Sequence, residues 1–380
     1  MAGIYIHIPF CRQACHYCNF HFSTSLRKKD ALLQAIAGEI EIVQGDKTSS
    51  PGRGALQTDE TIETIYFGGG TPSILEGKEI DQLLQKIFSS FNVADDAEIT
   101  LEVNPDDIKD EKLQTWRESG ITRLSIGVQS FFEDDLRWMN RAHNAKQAID
   151  HLKQAQNYFD SITIDLIYGV PGLTNDRWHK NVQMAIDLGI PHLSCYALTV
   201  EPKTPLDKLI RTSKKQGVQQ DQQSEQFLLL MDWLHEADYE HYEISNFAKQ
   251  GFRSRHNSSY WQGKGYFGFG PGAHSFNGTE RQWNVANNQK YIDAIAQGII
   301  PFGKEVLTDT QKANEYIMIS LRTIEGIDLR KLCEADRSIV SKATHKYVQQ
   351  GLLINANDHL KLTKHGKLFA DGIAADLFLD

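Results

Sequence analysis

The sequence predicts an α/β fold in which a parallel sheet is covered by helices. Six short β-rich runs alternate with five longer amphipathic patterns of helical period before residue 200. Strands and helices that alternate in this way form parallel sheets with right-handed crossovers. Six such units fit either an open, doubly wound sheet or an incomplete barrel of the TIM type. Both arrangements place functional residues at the carboxyl ends of the strands.

The individual elements follow from the spacing of apolar residues and from turn-forming residues. Alternating, β-branched runs predict strands at 4–8, 61–67, 98–103, 123–128, 161–167 and 192–199. Apolar residues three or four positions apart predict helices near 28–44, 76–91, 109–119, 144–157 and 174–188. Glycine, serine and proline at 45–60 predict an exposed loop before the second strand.

The alternation ends near 200–215, where E-P-K-T-P breaks the pattern. We therefore expect a core domain over 1–205, an extension over 206–305 and a small α+β module over 306–380. In the last region a helix, a short helix, a helix, two brief strands and a final helix follow one another, an order that resembles a winged helix. Residues 309–380 carry ten basic and ten acidic side chains. This balance disfavours DNA binding and favours a packing or docking role.

Composition limits the classes of protein to which the chain can belong. The 380 residues include 40 basic and 49 acidic side chains, for a net charge of −9. A general nucleic-acid binder needs a cationic surface, so no nucleic-acid partner is expected. No apolar run approaches the roughly 18 residues that a membrane span requires. The first ten residues lack the basic and long apolar regions of a signal peptide, so we expect a cytoplasmic protein.

Three cysteines stand close together immediately after the first predicted strand. Cys11, Cys15 and Cys18 have the spacing C-x3-C-x2-C, which brings three thiolates onto one short loop. In a cytosolic chain this crowding indicates a metal or an iron–sulfur cluster rather than disulfides. Structural zinc is one possibility, because His21 stands close enough to complete a Cys3His set. The other is a [4Fe–4S] cluster whose fourth iron is open to an external ligand.

Polar and glycine residues follow several of the predicted strands and favour the second possibility. The second strand ends in G-G-G-T-P at 68–72, the third in E-V-N-P at 102–105 and the fourth in G-V-Q-S at 127–130. The fifth strand contains Asp165. A zinc site needs none of these residues, whereas a ligand bound at the open iron would need polar groups at the mouth of a barrel.

These motifs resemble those of the radical S-adenosylmethionine (SAM) superfamily. The C-x3-C-x2-C loop and the G-G-G-T-P sequence carry the resemblance, and Y-I-H-I-P-F-C at 5–11 and S-I-G-V-Q-S at 125–130 are similar to the oxygen-independent coproporphyrinogen III oxidase group. The resemblance covers nearly the whole chain. It implies an incomplete (β/α)6 barrel of the radical SAM kind, a [4Fe–4S] cluster on the three cysteines, and SAM chelated by the open iron.

Within this group the sequence is most similar to the HemW branch, the heme chaperones. The true oxidases carry a fourth cysteine where this chain has Phe20, and they have a longer segment before the cluster. The sequence H-N-S-S-Y-W at 256–261 fits the H-N-x-x-Y-W motif that is associated with heme in this branch. The resemblance therefore implies heme binding, with His256 as axial ligand, by His256, Asn257, Tyr260 and Trp261.

The resemblance also assigns SAM contacts along the strand ends. Aromatic rings beside the cluster, glycines that allow close approach, carboxylates suited to ribose hydroxyls or an ammonium, and a guanidinium suited to a carboxylate are all present. Arg141, Glu102 and Asp165 could instead form a structural ion pair. The assigned residues are Tyr5, Tyr17, Gly69, Gly70, Thr71, Glu102, Gln129, Arg141 and Asp165.

The segment that follows the heme motif is rich in glycine and aromatic residues up to 276. We interpret it either as a flexible apolar surface that covers a porphyrin face or as a loop that closes the barrel mouth. Cys195 and Cys333 are expected to be plain buried thiols.

Three functions compete at this point. The first is a radical SAM-type heme chaperone that delivers heme to acceptor proteins. The second is an oxygen-independent coproporphyrinogen III oxidase, which would oxidatively decarboxylate propionates to vinyls. The third is a zinc-stabilised interaction protein. A homodimer is compatible with the sequence, and a reductant protein such as flavodoxin would be needed if SAM is cleaved.

Overall fold

Six parallel strands follow one another through the first half of the chain and form the middle of a twelve-stranded sheet. The computed structural model describes residues 2–45 and 60–380. Most of the loop predicted for 45–60 lies outside the described residues. The six strands are β1 (Ala2–Ile8), β2 (Ile62–Gly69), β3 (Val93–Val103), β4 (Arg123–Gln129), β5 (Ser161–Tyr168) and β6 (His192–Ala197).

The pairing order of these strands decides between the two predicted architectures. Neighbouring strands pair in parallel in the sequence order β1-β2-β3-β4-β5-β6. A doubly wound sheet reverses direction part-way, whereas a barrel does not. The outer edges of β1 and β6 do not pair with each other. They pair instead with β9 and β8, two strands from later in the chain. The architecture is therefore an incomplete six-stranded barrel, as the resemblance implied.

In the described ranges 2–45 and 60–380, six helices accompany the barrel strands. They are α1 (Lys29–Gly45), α2 (Gly77–Ser90), α3 (Asp110–Glu118), α4 (Glu133–Met139), α5 (Ala145–Ala155) and α6 (Asn175–Asp187). The short helix α4 was not predicted, because its seven residues show little apolar period. It ends at Asn140, whose backbone is left-handed with φ 61°. This turn brings Arg141 back toward the barrel mouth.

The predicted extension over 206–305 adds strands to both edges of the barrel sheet. Strands β7 (Glu240–Glu243) and β8 (Asn246–Ala248) lie beside β6, and β9 (Tyr266–Phe269) pairs in parallel with β1. Beyond β9 come β10 (His274–Phe276), β11 (Glu280–Asn284) and β12 (Phe302–Val306). The helices of this region are α7 (Pro205–Arg211), α8 (Gln220–Glu236), α9 (Arg255–Trp261) and α10 (Asn288–Ile295).

The glycine- and aromatic-rich segment is part of the sheet rather than a flexible surface or a loop. Phe267 and Phe269 on β9 are buried in the main apolar core and pack near Phe91. Both interpretations of this segment were therefore wrong. Strand β9 was missed because it contains only four residues, one of them glycine, and so shows too little alternation of apolar and polar residues.

A second apolar core forms the C-terminal module. It contains α11 (Asp309–Leu321), β13 (Ile327–Asp328), α12 (Glu334–Gln349), β14 (Leu353–Ala356), β15 (His359–Leu362) and α13 (Ala370–Asp376). The three strands form a sheet in the order β13-β15-β14. The resemblance to a winged helix stays a prediction. Cys195 is buried as expected, but Cys333 is exposed, because its sulfur caps the first turn of α12.

The module contacts the β6 edge of the sheet through residues that follow its first helix and its last strand. Thr323, just after α11, forms an antiparallel bridge with Glu243 of β7. Lys364 pairs with Asp232 of α8 at 2.5 Å. None of the helices within 2–45 and 60–380 is long and apolar enough to cross a bilayer.

A buried carboxylate joins helix α1 to the strands added beyond β1. Glu39 is fully buried and accepts hydrogen bonds from Gly270 N at 2.9 Å and from Asn284 Nδ2 at 2.8 Å. The hydroxyl of Tyr291 on α10 donates to the same carboxylate. Buried charges persist in proteins only when they are satisfied in this way. Glu39 therefore fixes the extension against the barrel.

Replacing Glu39 by alanine is expected to lower the free energy of unfolding by about 3 kcal/mol or more, because each stranded buried donor costs about 1–3 kcal/mol. Thermal unfolding followed by circular dichroism measures the effect. Glu41→Ala, on the exposed side of the same helix, is the matched control and should change stability by about 0.5 kcal/mol or less. Equal melting temperatures for the two variants would contradict the assigned role.

Candidate functional site

A cavity of about 780 Å³ lies at the carboxyl ends of the barrel strands. It is lined by residues of the barrel, by the hairpin between β7 and β8, and by the C-terminal module. All residues predicted to bind the cluster or SAM, except Tyr5, line it: Cys11, Cys15, Cys18, Tyr17, Gly69, Gly70, Thr71, Glu102, Gln129, Arg141 and Asp165.

The cysteine loop rests directly on the end of strand β2. Gly70 N donates to Ile8 O at 3.0 Å, and Thr71 N donates to Phe10 O at 2.7 Å. A Cβ atom at Gly70 would lie 2.6 Å from Phe10 O and 2.8 Å from Ile8 O. Because these are backbone atoms, no side-chain movement could make room. The G-G-G-T-P motif is therefore needed to position the loop as well as to line the cavity.

Two side chains donate hydrogen bonds to the cysteine sulfurs. Thr71 Oγ1 lies 3.5 Å from Cys11 Sγ, and Arg141 Nη1 lies 3.3 Å from Cys15 Sγ. Burial raises the pKa of Cys11 to about 11 and also raises the pKa of Cys18, so both are protonated thiols in the metal-free chain. A bound metal must displace these protons. The two donors favour the thiolate that results.

Asn104 connects both of these donors, and it was not among the predicted site residues. Its Nδ2 donates to Thr71 Oγ1 at 3.2 Å, and its Oδ1 accepts from Arg141 Nη2 at 2.8 Å. Arg141 Nη2 also donates to Gly127 O at 2.8 Å. The position of Asn104 at the end of β3, directly before Pro105, was the available signal.

The donor set suits a cluster better than a single metal ion. Within the described residues, no three His, Cys, Asp or Glu side chains converge as ligands of one ion. In a four-iron cluster each thiolate binds a different iron. His21, the proposed fourth zinc ligand, hydrogen bonds through Nε2 to Asn288 Oδ1 at 2.7 Å. Three half-buried cysteines with their own hydrogen-bond donors therefore fit a [4Fe–4S] cluster that has one corner free of protein.

Two carboxyl groups lie deeper in the cavity, on β3 and β5. Tyr66 Oη donates to Glu102 at 2.8 Å and Gly69 N donates to it at 3.2 Å, yet burial raises the pKa of Glu102 to about 7. Burial likewise raises the pKa of Asp165 to about 7. Neither side chain forms the ion pair with Arg141 that the sequence left open, because Arg141 bonds to Asn104 and Cys15. Both are available to a polar or cationic ligand.

Gln129 and Tyr5 occupy different levels of the barrel. Gln129 ends β4 in the left-handed region with φ 68°, which is uncommon for a residue other than glycine, asparagine or aspartate. Tyr5 is not among the cavity-lining residues: its ring stacks on Tyr66 at 6.1 Å and its hydroxyl lies 3.2 Å from His7 Nδ1. The expected contact of Tyr5 with SAM stays a prediction.

The predicted heme motif lies at the opposite, amino-terminal end of the barrel strands. His256 Nδ1 lies 2.8 Å from Thr64 Oγ1 near the start of β2, and Nε2 lies 2.9 Å from Tyr260 Oη. The ring is 1% exposed and stacks on Tyr66 at 4.9 Å. Thr64 and Gly69 are separated by about 16 Å of strand. His256 and the cysteines thus face different ends of the barrel.

Comparison with known proteins agrees with this geometry. Residues 5–185 match the family model of the radical SAM superfamily, and residues 307–369 match that of the HemN C-terminal domain. The heme chaperone HemW of Bacillus subtilis is 34% identical over 98% of this chain and 98% of its own length. The chain belongs to the HemW family of radical SAM proteins.

Other HemW relatives and one solved structure extend the comparison. The heme chaperone HemW of Escherichia coli is 31% identical over 99% of this chain and 98% of its own length. The structure of coproporphyrinogen III oxidase (HemN) from E. coli, a radical SAM enzyme, superposes with a TM-score of 0.82, covers 99% of this chain and 90% of that chain, and is 22% identical. The shared fold extends through the C-terminal module. Membership in the radical SAM superfamily implies a [4Fe–4S] cluster and SAM.

Replacing Asn104 by alanine is expected to loosen both donors to the cysteines. Changes behind the metal ligands typically cost about 10–100-fold in metal affinity. After anaerobic reconstitution, iron should therefore pass to a chelator at least about tenfold faster than in the wild type. Asn157→Ala, at an exposed position, serves as control. Iron loss at the wild-type rate would show that Asn104 does not support the cluster.

Amide replacements of the two carboxyl groups should change the pH dependence of stability. A pKa raised in the folded chain means that the unfolded chain releases a proton first. The stabilising contribution of Glu102 and Asp165 is therefore lost as pH rises from their ordinary values, 4.5 and 3.8, through about 7. We compare the melting temperature of each variant with that of the wild type at the same pH. For Glu102→Gln and Asp165→Asn, this difference should be about 2 °C or more higher at pH 8 than at pH 5.

Metal-free protein is used for this measurement, and only the difference from the wild type is compared, because buried histidines change stability in the same pH range. Asp187→Asn, at an exposed position on α6, should give a difference that does not vary with pH. A constant difference for Glu102→Gln and Asp165→Asn as well would contradict the raised pKa values.

Proposed function

We propose that this protein is a radical SAM-type heme chaperone that binds a [4Fe–4S] cluster, SAM and heme and delivers heme to acceptor proteins. The observation that carries the proposal is its 34% identity with a heme chaperone over 98% of both chains. A match of this extent includes the barrel, the extension and the C-terminal module together. The proposed roles are the cluster and SAM site for 1–205, a heme-related extension for 206–305 and a docking module for 306–380.

The residues that line the cavity would have different roles at the cluster. Cys11, Cys15 and Cys18 would hold three irons, and Thr71 and Arg141 would stabilise the thiolates. When bound, a cluster with one open iron can chelate SAM and supply an electron to it. Glu102 and Asp165 would meet the polar and cationic groups of SAM. Tyr17, Gly69, Gly70 and Gln129 would line its binding site.

The alternative is an oxygen-independent coproporphyrinogen III oxidase. The structural similarity to HemN favours it only as far as a shared fold goes, because the identity is 22%. Phe20 stands where the resemblance places the fourth cysteine of the true oxidases. Its ring lines the cavity and is 66% exposed. An apolar ring at this position suits retention of a flat apolar ligand better than metal ligation.

The position of the heme is a separate proposal. Ligation of iron by His256, with Asn257, Tyr260 and Trp261 beside it, would require the imidazole to leave Thr64 and Tyr260 and to emerge from the barrel interior. Breaking two buried hydrogen bonds costs several kcal/mol. The motif therefore supports heme binding through its place in the family rather than through an accessible nitrogen. A homodimer and a reductant such as flavodoxin remain proposals for the complete system.

Anaerobically reconstituted protein is expected to bind hemin with a Soret band and to pass it to an apo-acceptor protein. The same preparation, given SAM, a reductant and coproporphyrinogen III, should form no protoporphyrinogen IX. Formation of protoporphyrinogen IX would contradict the proposed chaperone function and support the oxidase. Colourless protein with one zinc per chain would instead support the interaction protein.

The variant His256→Gln tests the ligand within the same assay, because glutamine can keep the bond to Thr64. An unchanged Soret band would exclude His256 as the iron ligand without affecting the proposed chaperone function. A shifted band with hemin still bound and the cluster retained would support ligation after a rearrangement of the barrel base.

A further inference from the structure

The C-terminal module brings two cationic side chains to the cavity that also contains the cysteines. Arg322 stands directly after α11, and Lys367 lies in the single turn Gly366–Phe369 before α13. The barrel end of the cavity presents the carboxyl groups of Glu102 and Asp165. The module side of the cavity therefore carries two cations and one carboxylate, Asp371, whereas the barrel side carries these two carboxyl groups and Arg141.

Arg322 has unused capacity to bind an anion. One arm of the guanidinium pairs with Asp371 on α13, whose side chain is 83% exposed. The plane lies 5.6 Å from the ring of Trp261, the last residue of the heme motif. Its buried Nε has no hydrogen-bond partner within the described residues. A carboxylate from a ligand could replace the exposed Asp371 and use the planar fork.

Lys367 is a partly buried cation whose hydrogen-bond partner is neutral, and the buried carboxyl group of Glu243 acts on it from beyond ion-pair distance. Its Nζ lies 2.7 Å from Nδ1 of His241, whose pKa is lowered to about 3 by burial and by Lys367 itself. No carboxylate oxygen lies within 4 Å of Nζ in the part of the chain that the structure describes. Burial lowers the pKa of Lys367 to about 8, so the ammonium is poorly solvated. An anion bound beside Lys367 would stabilise the charged ammonium in place of the missing solvent.

The walls between these charged ends are largely apolar. Rings and aliphatic side chains come from the barrel, the cysteine loop and the module, including Phe20, Phe227, Ile244 and Leu368. Ligand pockets commonly combine such walls with a few placed polar groups. The combination suits a flat apolar macrocycle that carries carboxylates at one edge.

We propose that Arg322 and Lys367 bind the propionate carboxylates of a tetrapyrrole whose ring lies in the cavity at the carboxyl ends of the strands. This inference rests on the proposed function and gives the heme a position there. It differs from ligation at the base of the barrel by His256. It also gives the heme motif a second role, because Trp261 supports Arg322 from the other side.

The proposal makes predictions of opposite sign for neighbouring residues. Arg322→Gln and Lys367→Gln should each weaken the binding of hemin about tenfold or more, as expected for the loss of one charge-assisted hydrogen bond. Asp371→Asn should strengthen it by about threefold, because a competing carboxylate is removed. A purely structural role of the Arg322–Asp371 pair would weaken binding in both variants.

Equilibrium titrations of the reconstituted full-length protein test the proposal with three ligands in the same detergent. Hemin and metal-free protoporphyrin IX carry free propionates, whereas hemin dimethyl ester carries none. The wild type should prefer hemin to the ester by about tenfold or more. Arg322→Gln and Lys367→Gln should largely lose this preference. Lys342→Gln, an exposed cation of the same module, is the control, and iron content per chain confirms that each variant keeps its cluster.

The outcomes separate this inference from the proposed function. Equal binding of hemin and its ester by the wild type, or a preference that survives in both glutamine variants, would overturn the assignment while leaving a heme chaperone. Failure of the wild type to bind hemin would overturn the proposed function itself. Because the ester comparison needs only the wild type, a variant that fails to fold does not prevent the test.

Discussion

The close approach of two backbones at the mouth of the barrel is the constraint on which the site depends. The turn after β2 crosses the start of the cysteine loop so closely that only glycine fits at position 70. Two backbone hydrogen bonds fix that crossing, and Asn104 then aligns a hydroxyl and a guanidinium with two sulfurs. The cysteine loop is thus anchored to the end of the sheet by backbone and side-chain hydrogen bonds. Preorganisation of this kind is what a metal centre requires.

The open side of the barrel gives the C-terminal module its place in the site. Because β1 and β6 pair with outer strands, the barrel does not close on itself. The module contacts β7 and α8 at one side of this opening and supplies part of the cavity wall. Residues of both units line the cavity of about 780 Å³. The packing of the module against the barrel therefore places residues of both units around the cysteines.

The sequence supported the prediction of the barrel and most of the cavity, because both depend on local patterns. Alternating strands and helices, tight cysteine spacing and polar residues at strand ends are visible along the chain. The register that places Tyr5 beneath the cavity, the short helix before Arg141 and the four-residue strand β9 are not, because they depend on pairing between distant segments. Arg322 and Lys367 were missed for the same reason: nothing local shows that a separate module faces the cysteines.

The position of His256 shows how a motif can affect a ligand that it does not touch. Its ring stacks on Tyr66, and the hydroxyl of Tyr66 donates to Glu102 in the cavity. Trp261, five residues later, lies against Arg322 at the opposite end of that cavity. One short helix, α9, therefore contacts the supports of both charged ends. Substitutions in the motif can weaken ligand binding through these two contacts even if no atom of the motif coordinates iron, so loss of binding alone does not identify an axial ligand.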